Sequence, residues 1–344
     1  MRAALIAARC GGGAAEARYD QLIVTGLTAR APAKLNLQLS VGPLRPDGFH
    51  GVATVYHAVS LFDEVTVRPA SRISVQVEGE GAKQVPVGRG NLAAQAATAL
   101  RRATGISGGA RIVIRKRIAV AAGLAGGSAD AAATLVACNG LWAAGLSAAD
   151  LSELAAGLGS DVSFSLAGGT AIGIGRGEQL SPALVSGRYH WVLAFADTGL
   201  STAAVYAECD RLRATRTSND GLDSGDRPSR PGAHGVSNAL LAALRSGDAV
   251  AVGQLLSNDL EPAALSLRPG LRRVLSAGRE RGALGSIVSG SGPTCAFLAG
   301  GREHALDLAA ALTGAGVCRN VTAVHGPVQG AVVTPQPSGR PSVI

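Results

Sequence analysis

The run from Val120 to Ala132, VAAGLAGGSADAA, constrains this chain more than any other segment. Gly123, Gly126 and Gly127 lead into a helix expected from Ser128 to about Ala143, so the chain must turn into a helix through residues that, Val120 and Leu124 apart, are small. Glycines let backbone amides approach a ligand, and a helix N-terminus adds unpaired N–H groups and the positive end of the macrodipole. Such a turn suits a triphosphate. It equally suits close packing of a strand on a helix, and the run alone does not choose. It is neither a Walker A loop, since no Gly-Lys-Ser/Thr follows, nor G-x-G-x-x-G.

Upstream, Leu35, Leu37, Leu39 and Val41 alternate with Lys34, Asn36, Gln38 and Ser40. That period of two predicts a half-buried strand with a polar face, on which Lys34 and Asn36 point the same way. Further strands are predicted at 52–59, 65–68, 73–77, 111–115, 170–175 and 189–196, and helices at 92–102, 238–245, 249–256 and 270–281. Ser147, with Asp150 three residues on, has capping-box spacing. Strands interspersed with helices and hairpins predict an α+β chain, and 344 residues, 47% of them hydrophobic, suffice for two cores. The expected organisation is a poorly structured arm over 1–27, a first unit over 28–185, a second over 186–330 with a mobile insert at 215–235, and a disordered tail over 331–344.

Five cysteines without a C-x-x-C pair argue against a zinc site or a disulfide framework, and fit a reducing cytoplasm. No apolar run reaches membrane-spanning length, so no membrane association is expected. The net charge of +8 is scattered, without the basic face and interleaved aromatics of a nucleic-acid module; no nucleic-acid partner is expected, and the charge suits a phosphate-bearing small molecule.

Other motifs accompany the glycine run in order. Ala31-Pro-Ala-Lys-Leu-Asn-Leu37 and Arg45-Pro-Asp-Gly-Phe-His50 precede it; Leu158-Gly-Ser-Asp-Val162 and Ser289-Gly-Ser-Gly-Pro-Thr294 follow. Together, over roughly residues 29–330, they resemble the signatures of the GHMP kinases, and the opening pair resembles the branch that acts on a cytidylylated methylerythritol. Ala119 and Ser163 stand where that family usually has Pro, so some loss of rigidity without loss of activity is expected.

The resemblance implies a two-domain fold, with an N-terminal ribosomal-protein-S5-like α+β domain, a C-terminal ferredoxin-like α+β domain and the active site in the cleft between them. It implies ATP-dependent phosphorylation, with Mg2+, of the 2-hydroxyl of a cytidine diphosphate-linked polyol in the non-mevalonate isoprenoid route. A GHMP kinase of mevalonate, homoserine or a sugar, and a non-enzymatic binder of the same fold, are the alternatives.

By the same resemblance, Asp161 accepts the proton of the substrate hydroxyl, and Lys34 beside it neutralises the carboxylate. Asn91, Lys116 and the loop of Ala119, Val120, Ala121, Ala122, Gly123, Leu124, Ala125, Gly126, Gly127, Ser128 and Ala129 hold the nucleotide. Asn36, Phe49, His50, Thr202 and Tyr206 hold the substrate, with Phe49 and Tyr206 on opposite faces of the cytosine and His50 at its edge. Aromatics make up only 3% of the chain, which gives that placement weight. Taken singly, Asp161 reads as a first-turn acid, Lys34 as a solvated strand lysine, Asn91 as a helix cap and His50 as an exposed turn histidine. Ser128 either caps its helix or reaches a phosphate-bound magnesium ion.

Overall fold

The computed structural model describes residues 26–220 and 235–335. The first unit is built on two long antiparallel strands, β1 (Leu27–Leu44) and β2 (His50–Ala70). It continues with β3 (Ser74–Gly79), α1 (Leu92–Thr104), β4 (Gly109–Lys116), α2 (Gly126–Leu141), α3 (Ala148–Leu158), α4 (Ser160–Ala167), β5 (Thr170–Ile174) and β6 (Gln179–Pro182). In its sheet β2 pairs with β4, β4 with β3 in parallel, and the β5–β6 hairpin branches from β2.

The second unit holds β7 (Tyr189–Phe195), α5 (Thr202–Asp220), α6 (Asn238–Ser246), α7 (Ala249–Gln254), β8 (Ser257–Asn258), α8 (Glu261–Leu267), α9 (Leu271–Glu280), β9 (Gly285–Val288), β10 (Cys295–Ala299), α10 (Arg302–Gly314), β11 (Asn320–Gly326) and β12 (Val332–Val333). Its antiparallel sheet runs β11-β7-β10-β9. Two of its short strands cross back: β8 joins β1 at Gln38 and Leu39, and β12 joins β1 at Ala29 and Arg30.

The polar face of β1 is not solvated. Lys34, Asn36 and Gln38 are only 5%, 2% and 6% exposed, because the second unit and the loop before α2 cover the face that alternation marks as wet. On the other side sits α2, whose residues from Ala129 to Leu135 are all buried; alanines let it lie close on β1 and β2. Strand β7 serves two cores by the period of two. Trp191 and Leu193 pack with Leu35 and Leu135 of the first unit, while Val192 and Ala194 pack with Phe297 and Leu308 of the second.

Several expectations are corrected. The segments 52–59 and 65–68 are one strand, since Phe62 to Glu64 stay in the ladder with β1, and only Ser60 and Leu61 bulge out at the register shift between Pro32 and Ala33. Helix α2 begins at Gly126, two residues early, which places Ser128 inside the first turn with no capping bond. Residues 215–220 of the expected insert continue α5, and the rest of it to 234 lies outside the described residues, as do 1–25 of the arm. The expected tail is structured over 331–335: Val332 and Val333 pair with β1, and Thr334 N–H donates to Thr28 O. Residues 336–344 lie outside the described residues. The capping box of Ser147 and Asp150 is present in full.

Candidate active site

Lys34 owes its position to a buried hydrogen-bonded chain along the covered face of β1. Its ammonium donates to Asn36 Oδ1 at 2.6 Å, Asn36 Nδ2 donates to Thr54 Oγ1 at 2.8 Å, and Thr54 Oγ1 donates to Gln38 O at 2.6 Å. A register shift between Asn36 and Gln38 leaves Leu37 without a partner on β2, a bulge beside the site. Burial lowers the Lys34 pKa below its ordinary 10.5, opposed by the attraction of Asp161.

Asp161 sits in the first turn of α4, whose cap is Gly159 with φ 155°, so capping does not occupy the carboxylate. Among the described residues no ion pair within 4 Å joins Asp161 to Lys34. The Tyr56 hydroxyl hydrogen-bonds Asp161 instead, and burial, then that carboxylate, raises the Tyr56 pKa well above 10. Tyr56 was missed in the sequence, although the scarcity of aromatics that singles out Phe49 and Tyr206 applies to it equally.

The loop before α2 has left-handed backbone at Ala121 (φ 51°), Gly123 (φ 76°) and Ala125 (φ 59°). Only Gly123 needs its missing side chain, since a Cβ there would stand 2.2 Å from Ser289 O of the C-terminal glycine turn. Ser289 Oγ donates to Gly123 O at 3.1 Å, so the two glycine segments are locked together. Ala125 caps α2 without a side-chain acceptor, which leaves the first-turn amides of Gly126, Gly127 and Ser128 free of intrahelical partners. Leu124 and Ala129 are fully buried, and the Ala129 amide is bonded to Ala125 O; these two members of the expected nucleotide set do not face the cavity.

Lys116 does not reach out as a free cation. Its ammonium bonds Asp63 Oδ2 at 2.5 Å and Asp130 Oδ2 at 2.8 Å, while Asp63 Oδ1 accepts the amides of Arg117 and Ile118 at 2.6 and 2.9 Å. Strand β4, the chain leaving it and α2 are thus pinned at one buried point. Asp63, with two backbone donors, is the carboxylate that balances Lys116. Asp130 Oδ1 lacks a partner among the described residues, and burial pushes that carboxyl up to about 8. No spacing in the sequence announces Asp63. Asn91 caps α1, accepting from Ala93 and Ala94 and donating to Pro86 O.

These elements enclose a cavity of about 660 Å³. Lys34, Asn36, Asn91, Lys116, Asp161, Thr202, Tyr206 and the loop residues Ala119 to Gly123 and Ala125 to Ser128 line it, with Tyr56, Arg176, Gly290 and Ser291. Thr202 Oγ1 and Ser291 Oγ stand 3.0 Å apart, tying α5 to the C-terminal glycine turn. Phe49 and His50 lie beyond the lining, at the rim. Phe49 is 52% exposed, with the Arg176 guanidinium 5.0 Å from its ring centre, and the His50 ring lies 4.9 Å from that of Tyr206.

Comparison with known proteins gives the chain's family. Residues 91–169 match the GHMP kinases N terminal domain, and residues 240–318 match the GHMP kinases C terminal family. The chain is 54% identical over 320 residues to the 4-diphosphocytidyl-2-C-methyl-D-erythritol kinase of Mycolicibacterium smegmatis, covering 93% of this chain and 96% of that protein. It is 53% identical over 317 residues to the kinase of the same name from Thermobifida fusca, covering 90% and 98%. A crystal structure of 4-(cytidine 5'-diphospho)-2C-methyl-D-erythritol kinase superposes with a TM-score of 0.67 at 35% identity, over 87% of this chain and 98% of that one. A homoserine kinase from Cytophaga hutchinsonii superposes with a TM-score of 0.68 at 21% identity, a likeness of fold.

Proposed function

The chain belongs to the GHMP kinase family, and from that premise we propose that it transfers the γ-phosphoryl group of ATP to the 2-hydroxyl of 4-diphosphocytidyl-2-C-methyl-D-erythritol. The observation that carries the reading is one cavity in which a buried lysine, a carboxylate held by Tyr56 and not by a helix cap, and a helix N-terminus with free amides converge. Phosphoryl transfer through a loose transition state demands positioning and charge neutralisation more than covalent chemistry. The amides at the start of α2 suit the phosphates of ATP. Asp161 takes the hydroxyl proton as the alcohol oxygen bonds to the γ-phosphorus and the bond to the bridging oxygen breaks, releasing ADP. Tyr56 donates to Asp161 and orients it, and Lys34 offsets the negative charge that gathers on the alcohol oxygen.

Among the described residues no group of three or more His, Cys, Asp or Glu side chains could hold a metal. The donor set therefore suits magnesium carried by the nucleotide phosphates, with the Ser128 hydroxyl as the oxygen donor the loop offers. When bound, the ion neutralises phosphate charge. Among the described residues no disulfide joins two cysteines, as suits a reducing cytoplasm, and no helix there is long and apolar enough to cross a membrane. At the rim we assign the cytosine to Tyr206, His50 and Phe49.

The test is ADP release from ATP and magnesium with the cytidylylated alcohol, set against mevalonate, homoserine and galactose. The highest kcat/KM is expected for the cytidylylated alcohol; a higher value for one of the others refutes the substrate and leaves the kinase.

A further inference from the structure

We infer that Asp210 determines which ring nitrogen of His50 carries the proton, and that this makes the site select cytosine over uracil. The inference rests on the reading that His50 meets the edge of the base. Asp210 lies on α5, one helical turn beyond Tyr206. Both of its carboxylate oxygens stand 3.1 Å from His50 Nε2. An ionised carboxylate only accepts hydrogen bonds, so Nε2 carries the hydrogen. In the neutral ring, Nδ1 is then a bare acceptor.

The ring is held in place. The His50 side chain is 7% exposed while that of Asp210 is 36% exposed, so the contact closes over the imidazole and leaves the carboxylate partly in water. Tyr206 holds the ring on its flank at 4.9 Å between centres, and Tyr206 itself lines the cavity. Among the described residues Nδ1 has no hydrogen-bond partner.

Cytosine presents an exocyclic amine, a donor, where uracil presents a carbonyl, an acceptor. A bare Nδ1 bonds the first and opposes the lone pairs of the second. With the proton on Nδ1 the preference would reverse. A site built around one hydrogen bond rejects the analogue that cannot make it far more strongly than a site built on shape alone. Asp210 is thus a positioning residue: it touches no substrate and acts through His50.

The experiment compares kcat/KM for the cytidylylated alcohol and its uridylylated counterpart in wild type, Asp210→Ala, Asp210→Asn and His50→Ala, with thermal unfolding as the control for folding. Wild type is expected to prefer the cytidylylated alcohol by at least about a hundredfold. Asp210→Ala is expected to cut that ratio about tenfold or more with the KM for ATP within about twofold of wild type, whereas Asp210→Asn, whose amide oxygen still accepts, keeps most of it. An Asp210→Ala enzyme with the wild-type ratio overturns the inference. If His50→Ala also keeps the ratio, the reading of His50 at the base edge fails; if His50→Ala loses it while Asp210→Ala does not, only the tautomer argument fails. Nitrogen NMR of the wild-type ring at pH 8 reads the proton directly: hydrogen on Nε2 supports the inference, and a bare Nε2 refutes it.

Discussion

Lys34 and Asp161 make different demands on their surroundings, and the difference predicts how each variant behaves. Asp161 stands in a helix first turn where it caps nothing and accepts from Tyr56, a bond that an amide oxygen can still accept, so Asp161→Asn is expected to leave the fold and the KM for ATP intact while lowering kcat by about a hundredfold or more. Steady-state kinetics at saturating substrate check this, and near-normal turnover would remove Asp161 from the chemistry. Lys34 is buried and bonded to Asn36, and burial dominates its titration. A lysine held below its ordinary 10.5 loses its proton earlier as pH rises, so kcat is expected to decline on the alkaline side below pH 10.5. A pH profile that stays flat to 10.5 contradicts a role for the ammonium in turnover.

The element proposed to meet the nucleotide is the loop between β4 and α2, and its parts fail in different ways. Replacing Gly127 by Val adds a side chain whose first carbon meets only Leu92 Cδ1 at 3.6 Å, so the added bulk enters the cavity and not the fold. Calorimetry is expected to show ATP affinity lost from a protein with an unchanged unfolding midpoint. Gly123→Ala drives a methyl group into Ser289 O, and there folding suffers first. Lys116→Met leaves the Asp63 charge buried without its cation, a change that typically costs about 3 to 5 kcal/mol, readable as a lower urea midpoint. Much of this element was legible beforehand: glycines before a small-residue helix announce a close turn. The left-handed residues, however, are Ala121, Gly123 and Ala125, not Gly126 or Gly127, because the contact with the Ser289 turn, more than 160 residues away, sets the path of the loop. Local pattern also gave no warning of Asp63, whose importance comes entirely from what β4 and α2 bring to it.

In the molecule as a whole, the two units share a core, and His57 marks the seam. It is fully buried on β2, bonded through Nδ1 to Thr170 Oγ1 at 2.8 Å, with the rings of Tyr189 and Trp191 each 6.0 Å away. Burial lowers its pKa to about 3, against 6.5 for the unfolded chain. The unfolded state therefore takes up the proton first as pH falls, and stability is lost from about pH 6.5 downward, by up to about 1.4 kcal/mol per unit, until about pH 3. Urea unfolding at pH 7.5, 6 and 5 is expected to show that slope in wild type and a shallower one in His57→Asn; equal slopes would mean that His57 is not kept neutral. Alternation and turn residues in the sequence made the two-unit α+β plan legible, but not the strands exchanged between units, since β8 and β12 are two residues each and carry no period. The pairing of Val332 and Val333 with Arg30 and Ala29 also bears on the order of events at the ribosome. The strand that presents Lys34 is among the first described segments to be synthesised, and one of its neighbours is among the last. Until residue 333 has emerged, the nascent chain carries β1 with an open edge close to Lys34, available to any other unpaired strand.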